Sequence, residues 1–74
     1  MEIQAVLFPK GTWADDMFDW LDTHELKPLK PPRETKNFIR FRIRDPNEFK
    51  YFYTQKTYDE KIGTINLVVG FNSI

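Results

Sequence analysis

A chain of 74 residues is long enough for one small domain, so residues 1–74 are predicted to form a single folded unit. It has no cysteine and one histidine, which excludes disulfides and cysteine nucleophiles and argues against a zinc site. The net charge is zero, but residues 1–26 contain six acidic side chains against one basic one, and residues 27–50 contain eight basic against three acidic ones. Such segregation bears on partners and solubility rather than on the fold.

The N-terminal part predicts a strand followed by an amphipathic helix. Residues 3–8 form a short apolar run closed by a proline and a glycine, which is typical of a buried strand that ends in a turn. In residues 12–26, Thr12 precedes Asp15 by three positions, a capping-box-like pattern. The apolar side chains that follow recur at helical spacing, with acidic ones on the other side. We therefore expect about three turns of helix.

The rest of the chain predicts a connector and three strands. Residues 27–36 contain three prolines within five positions, which excludes a helix or a central strand because proline lacks the amide hydrogen. We expect an extended basic connector there. Apolar and basic residues alternate over 37–44, which predicts a strand with one buried side, and further strands are predicted at 50–57 and 62–71.

The order β-α-β-β-β predicts an α+β domain of two layers, with a mostly antiparallel three- to four-stranded sheet and one amphipathic helix packed on one face. The two tryptophans can be ligand-stacking groups or core residues, and their place on the apolar stripe favours the core. The core is predicted from both layers: Trp13, Met17, Phe18, Leu21, Ile39, Phe41, Ile43, Leu67 and Val69.

The sequence contains no set of residues that indicates catalysis. The only serine is Ser73, and three glycines are too sparse for a phosphate-binding loop. Asp15, Asp19 and Asp22 can in principle hold Mg²⁺ or Ca²⁺, but their spacing is that of an ordinary solvated helix face. His24 is expected to cap carbonyls at the helix end. We therefore expect no enzyme, no cofactor and no metal.

The first ten residues have an acidic residue at position 2 and only a short apolar run, unlike the basic start and longer apolar stretch of a signal peptide. No apolar run approaches the roughly 20 residues that span a bilayer. The prediction is a soluble cytoplasmic protein without membrane contact.

A row of arginines provides the candidate binding site. If the apolar residues of 37–44 face the helix, the arginines between them face away, about 6.5–7 Å apart along the strand. Placing Phe52 and Thr54 inward puts two tyrosines outward beside the arginines, although the opposite parity of that strand stays open. Arginines and tyrosines on an open sheet can hold phosphates while bases stack on the rings. The candidate residues for single-stranded nucleic acid are Arg33, Lys36, Arg40, Arg42, Arg44, Tyr51 and Tyr53.

Two other interpretations of this row remain. Exposed sheet faces often contain arginine and tyrosine with no ligand present, because both fit a pleated surface. The acidic helix face and the basic sheet face also suit self-assembly into a homo-oligomer, or docking onto another protein of phage or host, with no nucleic-acid role. The alternative function is therefore that of a protein–protein interaction module.

A set of aromatic, histidine and arginine positions over residues 12–70 resembles a short module of bacteriophage and prophage structural proteins. That module occurs near the prohead-protease and capsid-maturation regions of PBSX-like elements. The matching residues are Trp13, Trp20, Leu21, His24, Lys27, Thr35, Asn37, Arg40, Phe41, Arg42, Pro46, Phe49, Phe52 and Thr54. Here Phe38 and Ile39 replace a tyrosine pair, and the 74 residues contain no protease domain, so the resemblance does not imply protease activity. The resemblance implies phage ancestry and binding of phage nucleic acid or proteins.

Overall fold

The computed structural model describes residues 1–73, in which one α-helix packs on a five-stranded antiparallel sheet. A short 3-10 turn, Pro46–Glu48, precedes the fourth strand. The predicted α+β class is confirmed, with five strands in place of the expected three or four. The elements are β1 (Glu2–Pro9), α1 (Ala14–Thr23), β2 (Arg33–Glu34), β3 (Phe38–Arg42), β4 (Tyr51–Asp59) and β5 (Gly63–Phe71).

The strand order is β2-β3-β1-β5-β4, and every neighbouring pair is antiparallel. The apolar N-terminal strand β1 therefore lies in the centre, hydrogen-bonded to β3 on one side and β5 on the other. The additional strand is β2, which comprises two residues of the proline-rich connector. It lies at the sheet edge, where the missing amide hydrogens of the neighbouring prolines break no ladder.

One face of the sheet packs against α1 and forms the core. Phe41 in β3 lies directly opposite Val6 in β1, and its ring meets the edge of Phe8 at a centroid distance of 5.6 Å. All five sheet residues predicted for the core are buried: Ile39, Phe41, Ile43, Leu67 and Val69. The opposite face of the sheet has no helix over it among residues 1–73. We call this second surface the open face.

The helix contributes Met17, Trp20 and Leu21 to the core. Phe18 is 49% exposed, yet its ring still meets Phe41 at 5.4 Å. The prediction that Trp13 is a core residue is wrong, because its side chain is 79% exposed. The helix begins at Ala14, and Trp13 has extended backbone angles (φ −64°, ψ 140°) as the N-cap residue. Its side chain therefore leaves the helical stripe on which the prediction placed it.

Of the two side-chain caps predicted for α1, the one at its start is absent and the one at its end is present. Thr12 does not cap the helix, because its hydroxyl donates to the Pro9 carbonyl at 2.7 Å. At the other end His24 does cap a carbonyl: its Nδ1 donates to the Trp20 carbonyl at 2.8 Å, and its ring stacks on the indole at 3.9 Å. No helix among residues 1–73 combines the length and the apolar character needed to cross a membrane.

Candidate functional site

Three arginines share the open face at one end of the sheet. Arg40 and Arg42 lie opposite Leu7 and Ala5 of β1, on the side of β3 that faces away from α1. Arg33 in β2 lies directly opposite Arg40. The guanidinium groups of the edge strand β2 and its neighbour β3 therefore gather on one surface, and for Arg40 and Arg42 the alternation in β3 predicted this. We call Arg33, Arg40 and Arg42 the arginine cluster.

No acidic side chain within residues 1–73 neutralises the arginine cluster. The ion pairs there are Lys10–Glu34, Arg44–Glu2 and Arg44–Glu48, and none includes a cluster member. Like charges directly opposite each other on neighbouring strands repel and destabilise the sheet. The Arg33–Arg40 pair therefore has an electrostatic cost that a bound anion would remove.

A buried glutamine orients one member of the cluster. Gln4 is 1% exposed, its Oε1 accepts a hydrogen bond from Arg40 Nη2 at 3.3 Å, and its Nε2 donates to the Arg44 carbonyl at 2.8 Å. Gln4 lies where the β1–β5 register shifts, at a β-bulge. Bulges turn a side chain away from its regular direction. At this bulge both polar atoms of the Gln4 amide have hydrogen-bond partners. Because the amide is neutral, it does not compensate the positive charge of Arg40.

The cluster lines a groove of about 660 Å³ between the connector and β3. The connector is held there by the Leu29 amide, which donates to the Arg42 carbonyl at 2.8 Å. Lys36, predicted with this group, instead lies in the turn between β2 and β3, outside the groove lining. No acidic residue belongs to the lining, which consists of Lys30, Pro31, Pro32, Arg33, Thr35, Arg40 and Arg42.

Arg44 differs from the cluster because carboxylates compensate its charge. β3 ends at Arg42, and the amides of Ile43 and Arg44 both donate to the Gln4 carbonyl at the bulge. The Arg44 guanidinium contacts Glu48 at 3.1 Å and Glu2 at 3.2 Å. The hydrogen bond to Glu48 and the charge of Glu2 raise the pKa of Arg44 above its usual value. Arg44 is thus less suited to bind a phosphate than the prediction assumed.

Tyr51 and Tyr53 of β4 lie on the other side of the sheet from the arginine cluster. Tyr53 pairs with Val69 and Tyr51 with Phe71, positions that belong to the face that α1 covers. Both tyrosine rings contact Phe71, at 5.4 Å and 5.9 Å. The parity chosen for β4, with Phe52 and Thr54 inward, is therefore wrong. Aromatic residues occur on both sides of this strand, so the pattern alone did not decide between the two parities.

Two phenylalanines occupy the open face in place of the tyrosines. Phe52 pairs with Gly70, is 44% exposed, and meets the ring of Phe49 edge-on at 6.1 Å. Phe49 lies over Gly70 so closely that a Cβ at that glycine would come within 3.0 Å of ring atoms. A glycine inside a strand indicates the close approach of another group, and this signal at Gly70 was available in the sequence.

The register gives the open face a continuous row across all five strands. Arg33, Arg40, Leu7, Asn66 and Lys56 are consecutive partners from edge to edge. Four strand spacings make this row about 19 Å long, with cations at both ends and an apolar centre. It has the length of roughly three to four nucleotides of an extended single strand.

A second depression, of about 640 Å³, lies between the end of α1 and the β4–β5 turn. Trp20, His24 and Tyr58 line it together with several acidic side chains. Within residues 1–73 no three histidine or acidic side chains are arranged to hold a metal ion. The arginine-lined groove differs from this depression, because four cationic side chains and no acidic one belong to its lining.

Comparison with family models, with curated proteins and with solved structures finds no match to this chain.

Proposed function

We propose that this protein is a non-enzymatic binding module of phage or prophage ancestry, whose open face holds a single-stranded nucleic acid. The observation that supports the proposal is the arginine cluster, in which Arg33 and Arg40 face each other without a carboxylate partner among residues 1–73. Polyanions relieve the repulsion in such a cluster, and arginine matches phosphate oxygens with two parallel hydrogen bonds.

The groove beside β3 is the proposed phosphate site. Arg33, Arg40 and Arg42 line one surface, and Lys30 lies on the connector that borders it. Two prolines in that border have no amide hydrogen, so the donors facing the groove come from cationic side chains rather than from the backbone at those positions. Such contacts depend on charge and on the planar guanidinium fork, and they are independent of base sequence.

The rest of the open face suits unpaired bases better than a duplex. Leu7 and Val68 provide an apolar centre, and the exposed ring of Phe52 lies at the far edge, about 14 Å from β3 across three strand spacings. Unpaired bases stack on aromatic rings, at about 1–3 kcal/mol per base. No helix or ribbon stands out from this face among the described residues to enter a major groove.

Phage or prophage ancestry is proposed from the sequence resemblance alone. Within that motif, Trp20 and Phe41 belong to the core between helix and sheet, whereas Arg40 and Arg42 belong to the open face. The motif therefore includes both fold-forming and surface positions. The position of the gene among phage structural genes would support this ancestry, and a position in an unrelated operon would speak against it.

The proposal is tested by fluorescence anisotropy with a labelled 12-nucleotide DNA or RNA. Four cations at the groove predict a slope of log K against log salt of about −2.8, at about −0.7 per phosphate contact for single strands. Arg40→Ala/Arg42→Ala should halve that slope and lower affinity at least tenfold in low salt. Since Arg40 also contacts Gln4, Arg33→Ala/Arg42→Ala serves as a second variant with the same expected result.

Lys50→Ala/Lys61→Ala is the matched control, because it removes the same charge from exposed positions outside the groove lining. It should keep most of the wild-type affinity and slope. Absence of binding by the wild type in low salt, or an equal loss in the control, would overturn the proposal. Phe52→Ala should weaken binding without changing the slope, because it removes stacking and no charge.

A further inference from the structure

The outer face of α1 is an acidic surface on the opposite side of the molecule from the arginine cluster. Asp15, Asp19 and Asp22 are all exposed and lie close to one line along the helix, at positions i, i+4 and i+7. Within residues 1–73 none of the three takes part in an ion pair. Phe18, half exposed, lies beside them. We call these three aspartates and Phe18 the acidic helix face.

The acidic helix face is opposite in charge to the arginine cluster and comparable to it in extent. Along the helix axis Asp15 and Asp19 are about 6 Å apart, and Asp19 and Asp22 about 4.5 Å. Across β2 and β3, Arg33 and Arg40 are about 5 Å apart, and the two arginines of β3 about 6.5–7 Å. Three unpaired carboxylates and three unpaired arginines therefore each extend over about 10 Å.

We infer that the acidic helix face of one copy docks against the arginine cluster of a second copy. Charge complementarity is the basis for this choice of partner, since each face supplies what the other lacks. Phe18 would lie against the arginine side chains or the apolar centre of the open face, where a ring and a guanidinium attract each other. The inference does not depend on nucleic-acid binding.

The two surfaces lie on opposite sides of the sheet, so the contact joins different patches of the two copies. Such heterologous contacts do not close into a two-fold dimer and instead extend into chains or rings. A ten-residue helix covers less than the roughly 1,200 Å² of a stable interface, so the association should be weak and sensitive to salt. Because both ligands use the arginine cluster, a bound nucleic acid should displace the second copy.

Sedimentation velocity without nucleic acid tests the inference. At about 0.5 mM protein and 20 mM salt, the average mass should exceed that of a monomer, and it should return to monomer near 300 mM salt, where the screening length is about 6 Å. Asp15→Lys/Asp19→Lys and Arg33→Glu/Arg42→Glu should each be monomeric alone. Mixed in equal amounts, these two variants should associate again, because each restores the partner that the other lost.

Lys50→Glu/Lys56→Glu is the control for the arginine variant, with the same change in net charge at exposed positions by the opposite edge of the sheet from β2, and it should associate like the wild type. Circular dichroism checks that each variant folds, and Asp15→Asn/Asp19→Asn replaces the lysine variant if that one does not. A wild type that stays monomeric in 20 mM salt, or a mixture that fails to associate, would overturn the inference. Neither result affects the nucleic-acid proposal, whose anisotropy test uses dilute protein.

Discussion

The two tryptophans provide the sharpest test of how this small domain is stabilised. Trp20 is 8% exposed, meets the edge of Phe8 at 5.7 Å and is stacked by His24 at 3.9 Å. Trp13 lies seven positions earlier and is 79% exposed. The two side chains are chemically identical, so replacing each by alanine compares burial alone.

Removal of a buried Trp or Phe side chain costs about 3–5 kcal/mol, because apolar burial is lost and a cavity remains. A domain of 74 residues has a total stability of about 4–11 kcal/mol, at about 0.05–0.15 kcal/mol per residue. Trp20→Ala should therefore remove about a quarter or more of this stability and lower Tm by at least about 12 °C, at about 4 °C per kcal/mol. Trp13→Ala should change stability by no more than about 0.5 kcal/mol.

Urea and thermal unfolding followed by far-UV circular dichroism measure both changes, since that signal does not depend on the indole that is removed. Trp20→Phe is an intermediate variant that keeps an aromatic ring and should lose less than Trp20→Ala. Equal losses for Trp13→Ala and Trp20→Ala would refute the placement of the helix start at Ala14. A loss below about 1 kcal/mol for Trp20→Ala would refute the packing of α1 on β1.

Three further substitutions test local features by the same unfolding measurements. Gly70→Ala should cost about 1–3 kcal/mol, because the new methyl displaces the Phe49 ring, and it should cost less in a Phe49→Ala background. Glu25→Gly should stabilise by about 0.5–1 kcal/mol, because Glu25 has φ 58° after the helix end; destabilisation would contradict this backbone strain. Asp45→Ala should cost about 0.5–2 kcal/mol, because Asp45 and Glu48 form a reciprocal capping box; no loss would show that the cap is not formed.

The periodic elements could be predicted because their pattern is local. The alternation over 37–44 placed Ile39 and Phe41 on the helix side of the sheet and Arg40 and Arg42 on the open face, and the structure has them there. A strand has only two sides, so one buried set determines the other. The amphipathic helix was predicted for the same reason, with an error of one or two residues at its start.

The parity of β4 could not be predicted, because the strand has large side chains on both sides. Phe52 and the two tyrosines all suit a pleated surface, so burial of either set was plausible. Pairing with β5 decided the question, since Val69 belongs to the core and Tyr53 is its partner. A one-residue change in parity exchanges the two faces of a strand, and here it places Phe52, instead of Tyr51 and Tyr53, on the open face.

Which basic side chains belong to the candidate site depends on contacts with residues far away in the sequence. Arg44 continues the alternation after Arg42, so the pattern placed it in the same row. The ion pair with Glu2 that compensates its charge joins residues 42 positions apart and could not be predicted from the local sequence. Arg33 was included for its charge, but its place opposite Arg40 exists only because two connector residues join the sheet edge. Gln4 had no signal of its own, because its role depends on the bulge in β1.

The helix, the main strands and the two sides of β3 could be predicted from the sequence alone, because they depend on which residues close together in the chain are apolar. The tertiary structure alone decided that β1 is central, that β2 closes the edge beside β3, and that the faces of β4 are reversed from expectation. Strand pairing is a choice among distant segments with similar hydrogen-bonding capacity. Side-chain packing across the whole core makes that choice, and no short stretch of sequence contains it.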